Sequence, residues 1–124
     1  MENYFYRLSS GADVFNSLNE LELSLNSTSF LISAVGDLSK VSFKCPVNEK
    51  PIKLEKKLEM IALSGYLTSL GSHLHISVSD ENCNVPGTHL LSGTIVLKLL
   101  DILLGVFPNL NQRTIYKVNH SPSI

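Results

Sequence analysis

Polar and apolar side chains alternate strictly along residues 73–79 of the chain. The odd-numbered positions carry histidine or serine, and the even-numbered positions carry leucine, isoleucine or valine. Successive side chains of a β-strand point to opposite faces, so this pattern predicts a strand whose aliphatic face packs on the core. His73 and His75 then share the other face.

Other patterns predict strands before this segment. Residues 3–8 alternate with aromatic side chains on both faces, and the apolar run at residues 30–35 is typical of a buried strand. Gly36-Asp37 predicts a turn, after which residues 38–45 resume in extended form. The chain thus opens with a first strand and a hairpin.

Residues 46–57 contain two prolines and four lysines and are interpreted as an exposed connection. Residues 58–66 alternate again, which places Glu59 on the same face as Ile61 and Leu63. A carboxylate on such a face lies at the rim of the sheet or has a partner, because an unpaired buried charge is very costly.

The segments after the histidine strand are less regular. Residues 85–91 contain proline and glycine and predict a short or bulged strand. Residues 94–106 suit either a buried strand or a leucine-rich helix, and we favour the strand because β-branched residues open the segment. Residues 113–118 predict a last strand, and residues 119–124 a frayed tail.

One segment has helical periodicity. An amphipathic helix is predicted over about residues 13–26, with Asp13 as its N-cap. Its apolar positions are Val14, Leu18, Leu21 and Leu25. One helix among many strands predicts an α+β fold, mostly an antiparallel β-sheet. A single helix cannot cover so much apolar surface, so we expect a sheet folded over on itself or subunit contacts, and an oligomer.

Composition narrows the class of protein. With 124 residues, 44% hydrophobic and 17% charged, the chain predicts one ordinary globular domain. The net charge of −1 and lysines interleaved with glutamates disfavour direct nucleic-acid binding. The chain shows no secretory signal, and its longest apolar run, residues 94–107, is too short for a membrane span, so we expect a cytoplasmic protein. Cys45 and Cys83 are far apart and are expected to be reduced thiols.

The histidines carry the candidate chemistry. Side chains two apart on a strand have Cα atoms about 6.5–7 Å apart, which lets His73 and His75 converge on one ion. If a neighbouring strand delivers His89, three imidazoles form a site with a vacant position. Zinc is the leading metal for such a ligand set, and nickel or copper would also fit.

Four ordered motifs resemble the plant and prokaryote conserved (PPC) domain. They are Gly11-Ala12-Asp13, Leu58-Glu59-Met60-Ile61-Ala62-Leu63-Ser64-Gly65, His73-Leu74-His75-Ile76-Ser77-Val78-Ser79-Asp80 and Gly87-Thr88-His89-Leu90-Leu91-Ser92-Gly93. The resemblance implies a PPC-like α+β homotrimer of the stand-alone prokaryotic type, with one domain over residues 1–118. It also implies metal coordination, usually of zinc, by His73, His75 and His89.

The chain departs from the family pattern at two places. The first glycine before the last histidine is replaced, which gives Pro86-Gly87-Thr88-His89. The acidic residue that the family has late in the long apolar strand corresponds to Asp101, a shorter carboxylate. Plant members carry AT-hook DNA-binding motifs and contact transcription factors, but this chain has no Arg-Gly-Arg-Pro element. Prokaryotic members are often named DNA-binding proteins by analogy.

These observations lead to three hypotheses of function. The first is a homotrimeric, zinc-binding module with a regulatory or interaction role and protein partners. The second is a zinc-dependent hydrolase of a small substrate. In it Glu59 is the general base or a residue that contacts a metal ligand, and Asp80 is a weaker candidate for the general base. We favour a structural role for Glu59, in which it pairs with Arg7 or caps a subunit contact. The third hypothesis is DNA binding by family analogy.

Overall fold

The computed structural model describes residues 2–108. This part of the chain forms one α-helix and six β-strands. In chain order they are β1 (Glu2–Ser9), α1 (Val14–Leu25), β2 (Thr28–Lys44), β3 (Pro51–Thr68), β4 (Gly71–Ser79), β5 (Gly87–Leu90) and β6 (Ile95–Phe107). The α+β class, mostly an antiparallel sheet with one main helix, is confirmed. The predictions for residues 113–118 and 119–124 lie outside the described residues.

The sheet folds over on itself. Its strands follow the order β1-β6-β2-β3-β4-β5, every pair is antiparallel, and the end of β2 also pairs with β5. The closing pairs are Phe43 with Leu90 and Lys44 with His89. Strands β2, β3, β4 and β5 therefore form a closed ring, as expected from the surplus of apolar strand surface.

The helix begins at its predicted cap. The Asp13 carboxylate accepts a hydrogen bond from the backbone N–H of Asn16 at 3.0 Å, and its other oxygen accepts one from the N–H of Gly93 at 2.7 Å. Val14 and Leu18 are fully buried against the sheet. No helix within residues 2–108 is both long and apolar enough to cross a membrane.

The segment predicted at residues 94–106 forms strand β6 (Ile95–Phe107), as favoured over a helix. Strand β6 lies between β1 and β2, where Leu100, Ile102 and Leu104 are fully buried on one face. The other face is partly exposed, so the strand is not buried on both sides as its composition suggested.

The predicted turn at Gly36-Asp37 is wrong, because β2 continues through it. A side chain at Gly36 would overlap the backbone of Leu99 and Leu100, so glycine permits the close approach of β6. Asp37 accepts hydrogen bonds from the N–H groups of Lys98 and Leu99 at 2.8 and 3.3 Å. The two residues make an irregularity in the strand pairing rather than a chain reversal.

The exposed connection predicted over residues 46–57 is shorter than expected. Strand β3 already begins at Pro51, and its first residues pair with β2 in a long hairpin. The lysines and glutamates there occupy a two-stranded ribbon, where side chains of opposite charge meet across the strands. Lys40 and Glu55 form one such pair, with 3.6 Å between Nζ and Oε1.

The predicted face of Leu63 is also wrong. A β-bulge between Met60 and Ala62 shifts the register against β4. Leu63 is consequently buried, whereas Glu59 and Ile61 are exposed. Strict alternation from Glu59 cannot anticipate this change, because a bulge reverses the parity of every later position.

Candidate metal centre

Three imidazoles meet on the outer face of strands β4 and β5. His75 lies directly opposite His89 in the register of the two strands, and His73 lies two positions along β4. Candidate ligand atoms of the three residues all lie within 4.8 Å of one another. The ring centroids are 4.9 Å apart for His75 and His89, and 5.1 Å apart for His73 and His75.

Local packing positions these rings. Leu74 and Ile76, on the opposite face of β4, are buried in the core, which commits both neighbouring histidines to the outer face. Strand β5 is held by the Thr88 hydroxyl, which donates to the carbonyl of Lys44. The Pro86 carbonyl accepts a hydrogen bond from the N–H of Val78 at 3.1 Å, so the departure at Pro86 does not carry His89 away from the cluster.

The donor set fits zinc. Neutral imidazole nitrogens are common zinc ligands, and in a tetrahedral site with Zn–N distances of about 2.0–2.1 Å neighbouring nitrogens lie about 3.3 Å apart. The candidate nitrogens lie within 4.8 Å of one another, and because His73 and His75 are exposed and His89 is half-buried, the rings have room to turn towards an ion. Three histidines leave one position open for a further ligand.

Tyr66 is a member of this site that sequence reasoning missed. It lies opposite His73 in the β3–β4 register, and its hydroxyl oxygen is 3.5 Å from Nδ1 of His73. Histidine ligands are commonly oriented through the ring nitrogen that does not bind the metal. Tyr66 is therefore placed to orient His73, a role that only the strand register discloses.

Glu59 does not join the histidines. It lies opposite Ser79 on the same outer face, and the Cα atoms of Ser79 and His75, four positions apart on β4, are separated by about 13 Å. Its proposed pairing with Arg7 is wrong, since Arg7 forms a bidentate pair with Asp101 at 2.7 and 2.9 Å. This hydrogen bonding holds the pKa of Asp101 below its usual range.

Asp80 also lies apart from the histidines and orders the turn after β4. Its carboxylate accepts hydrogen bonds from the N–H groups of Asn82 and Asn84 and from the Lys56 ammonium. Burial opposes ionisation of the carboxylate, but these donors outweigh it and lower the pKa of Asp80 to about 2. This geometry indicates a structural role for Asp80.

Cys83, in the turn that Asp80 orders, is a free thiol, and so is Cys45.

Asp80 makes the stability of the protein depend on pH. An unfolded aspartate has a pKa of about 3.9, so the depressed pKa stabilises the fold above pH 4, and this contribution is lost as the pH falls from about 4 to about 2. We expect Asp80→Asn to lower the urea midpoint at pH 7, with a difference from wild type that shrinks towards pH 2. A difference that stays constant across this range would contradict the assignment.

Most of the chain is similar to a known protein family. Residues 1–108 match the family described as the Plants and Prokaryotes Conserved (PCC) domain. The bifunctional protein GlmU of Synechococcus sp. strain JA-2-3B'a(2-13) is 33% identical over 106 residues, covering 85% of this chain and 17% of GlmU. GlmU of strain JA-3-3Ab is 36% identical over 75 residues, covering 60% of this chain and 12% of that protein. The chain thus spans less than a fifth of these curated relatives.

Several solved structures share the fold. A hypothetical protein from Salmonella enterica has a TM-score of 0.83 and 29% identity, covering 86% of this chain and 78% of its own. A candidate DNA-binding protein from Bacteroides thetaiotaomicron has a TM-score of 0.76 and 18% identity, covering 85% and 78%. A metal-containing protein from Archaeoglobus fulgidus has a TM-score of 0.64 and 22% identity, covering 86% and 80%.

Proposed function

Because the chain belongs to the Plants and Prokaryotes Conserved (PCC) domain family, we propose that it is a homotrimeric zinc-binding module with a regulatory or interaction role. The observation that carries the proposal is the convergence of His73, His75 and His89 to within 4.8 Å. The metal-containing relative from Archaeoglobus fulgidus supports the same interpretation. In this proposal the three imidazoles hold the metal, and Tyr66 orients one of them.

Metal content tests this proposal directly. Protein purified without chelator and dialysed against a trace of zinc is expected to retain about one zinc per chain, measured by mass spectrometry of the metals. Parallel samples offered nickel and copper identify the preferred ion. Recovery of less than about a tenth of an equivalent of any of these metals would exclude a metal site at the histidines.

An exposed apolar surface supports the homotrimer. On the outer face of β1, β6 and β2, Phe5 and Val35 are 65% and 64% exposed, and they flank the ion pair of Arg7 with Asp101. Large apolar side chains exposed on one face beside an ion pair are candidates for a contact between proteins. We propose this face as the subunit contact, because it remains uncovered after the sheet has closed on itself.

Light scattering tests the trimer. Wild-type protein is expected to have three times the 13.7 kDa mass of one chain, and Phe5→Glu to have the mass of one chain, because a carboxylate is costly to bury in an apolar contact. Leu23→Glu, at a leucine of α1 that is even more exposed than Phe5, is the matched control and should remain trimeric. A wild-type monomer, or a trimer unaffected by Phe5→Glu, contradicts the proposed interface.

The alternative functions have less support. A zinc-dependent hydrolase needs a proton acceptor at the metal, and among residues 2–108 no carboxylate belongs to the histidine cluster itself. Glu49 lines the cavity beside His73 and His89, but its carboxylate lies 3.9 Å from the Lys44 ammonium. DNA binding is implied by the names of related proteins, such as that from Bacteroides thetaiotaomicron. Against it, lysines 40, 44 and 56 each lie beside a carboxylate, which lowers the charge offered to phosphates.

A further inference from the structure

A cavity of about 330 Å³ lies on the two-stranded ribbon that β2 and β3 form. In the register of the two strands Lys40 is opposite Glu55 and Ser42 is opposite Lys53, so these four side chains share one face of the ribbon. All four line the cavity. A short serine among three long side chains leaves a depression, and Ser42 forms its base.

Ser42 offers a hydroxyl to this cavity. The residue is only 3% exposed, and Gly93 lies directly over it, since a Cβ built at Gly93 would be 3.4 Å from that of Ser42. The backbone N–H and carbonyl of Ser42 both bond to the Thr94 hydroxyl, at 3.0 and 3.2 Å, which fixes this part of the strand. The Ser42 hydroxyl itself has no hydrogen-bond partner among residues 2–108, so it is free to donate to a molecule in the cavity.

The charge of the cavity is positive. Lys53 forms no ion pair with any residue that the structure describes. The Lys40 ammonium is 3.6 Å from the carboxylate of Glu55, but the two side chains are 51% and 78% exposed, so this pair is weak. Two ammonium groups beside one carboxylate leave an excess of positive charge for a ligand to balance.

We propose that this cavity binds the phosphate group of inorganic phosphate or of a small phosphomonoester. The phosphate oxygens accept hydrogen bonds from the Lys40 and Lys53 ammonium groups and from the Ser42 hydroxyl. Three donors arranged around one depression suit the three free oxygens of a tetrahedral phosphate better than the two oxygens of a planar carboxylate. In the absence of ligand, Glu55 occupies the position beside Lys40.

The size of the cavity agrees with this ligand class. At about 30 Å³ for each water-sized group, the cavity has room for about eleven non-hydrogen atoms, enough for a phosphate with a small alcohol attached. A single phosphate needs only this one cavity, whereas DNA binding requires that several phosphates be neutralised together.

The test titrates the protein with inorganic phosphate and with glycerol phosphate, at constant ionic strength set with chloride, and follows the amide signals by NMR. Both ligands are expected to shift the amides of Ser42, Lys53 and Gly93, and glycerol, which lacks the charge, should not bind. Tighter binding of glycerol phosphate assigns the cavity to a phosphomonoester; otherwise the ligand is free phosphate.

Variants assign the contacts. Lys53→Gln is expected to weaken phosphate binding about tenfold, the usual effect of losing one charge-assisted hydrogen bond. Ser42→Ala should weaken it about threefold, because one donor is lost while the bonds from Thr94 to the backbone remain. Glu55→Gln should strengthen binding about two- to threefold, because a competing carboxylate is removed. Lys57→Gln is the matched control, since it removes the same charge from the same strand but lies outside the cavity.

Phosphate is also a ligand of zinc, so the titration is repeated on His75→Ala, which lacks a proposed zinc ligand. The affinity should not change, because no residue of the histidine cluster lines this cavity. Loss of phosphate binding in His75→Ala would place the anion at the metal and overturn this inference, while leaving the proposed zinc module intact. Equal affinity in wild type and Lys53→Gln, or an equal loss in Lys57→Gln, would also overturn it.

Discussion

His75→Ala is expected to weaken zinc binding by more than about a hundredfold, so that the purified variant retains almost no metal. His75 is the central ligand of the cluster, since its ring lies 5.1 Å from that of His73 and 4.9 Å from that of His89. Two histidines remain in the variant, and two ligands from the protein are too few for a stable zinc site. Competition with a chromogenic chelator measures the affinities.

The variant should fold and assemble normally. The His75 side chain is exposed on the outer face and takes no part in the core, so its removal leaves the packing of β4 unchanged. Ser77→Ala is the matched control, because Ser77 lies two positions along the same face. Retention of zinc by His75→Ala, or equal loss of zinc in Ser77→Ala, contradicts the assignment of His75 as a ligand. An unfolded His75→Ala would contradict the separation of site from scaffold.

Gly65→Ala is expected to destabilise the protein by about 3–5 kcal/mol, the largest effect on stability that we predict. Gly65 has φ +129°, and a Cβ there would overlap the carbonyl of His73 in the adjacent strand. The clash involves backbone on both sides, so no side chain can rotate to relieve it. The strand that carries His73 must move, and zinc affinity should fall together with the free energy of unfolding.

Gly71→Ala separates the clash from the backbone strain. Gly71 has φ +125°, close to that of Gly65, but a Cβ there meets no atom within 4 Å. We expect it to cost only about 1–2 kcal/mol, since the backbone conformation alone is unfavourable for an L-residue. Urea unfolding of both variants provides the comparison. Equal destabilisation would show that the close approach of β3 and β4 at Gly65 contributes little.

The histidine pair was predictable from sequence because the interaction is local. Alternation along residues 73–79 is enough to place His73 and His75 on one face, and the aliphatic residues between them decide which face is buried. The helix was predictable for the same reason, since its cap at Asp13 and its apolar period lie within a few turns of chain. Local rules suffice when every interacting group is near in sequence.

His89 required more than local rules. The family resemblance linked it to the other two histidines, but its place beside His75 comes from the β4–β5 register. Tyr66 and Lys44 reach the site in the same way, through pairing with β4 and β5. Alternation specifies which face a side chain occupies, but not which strand lies beside it or at which residue the two strands align.

The errors arise from interactions between strands. Between Met60 and Ala62 a bulge shifts the pairing with β4, so that the residues after it face the side opposite to the one that alternation predicts. At Gly36 the glycine permits the close approach of β6 and does not form a turn. Glu59 is exposed, as predicted for a carboxylate at the rim of the sheet. It does not pair with Arg7, because Arg7 pairs with Asp101 on the adjacent strand. Bulges and cross-strand partners depend on how long strands twist around a core, which no short window of residues contains.

The amino-acid pattern was therefore sufficient for the fold class, the single helix and the outward direction of two imidazoles, because these follow from the period of the backbone and from burial of aliphatic side chains. Long-range pairing alone decided that the sheet closes on itself between β2 and β5 and that a third imidazole and Lys44 meet there. It also decided that Glu59 lies opposite Ser79, four positions along β4 from His75. Register is a property of two strands together, and the free energy that selects it is distributed over the whole core.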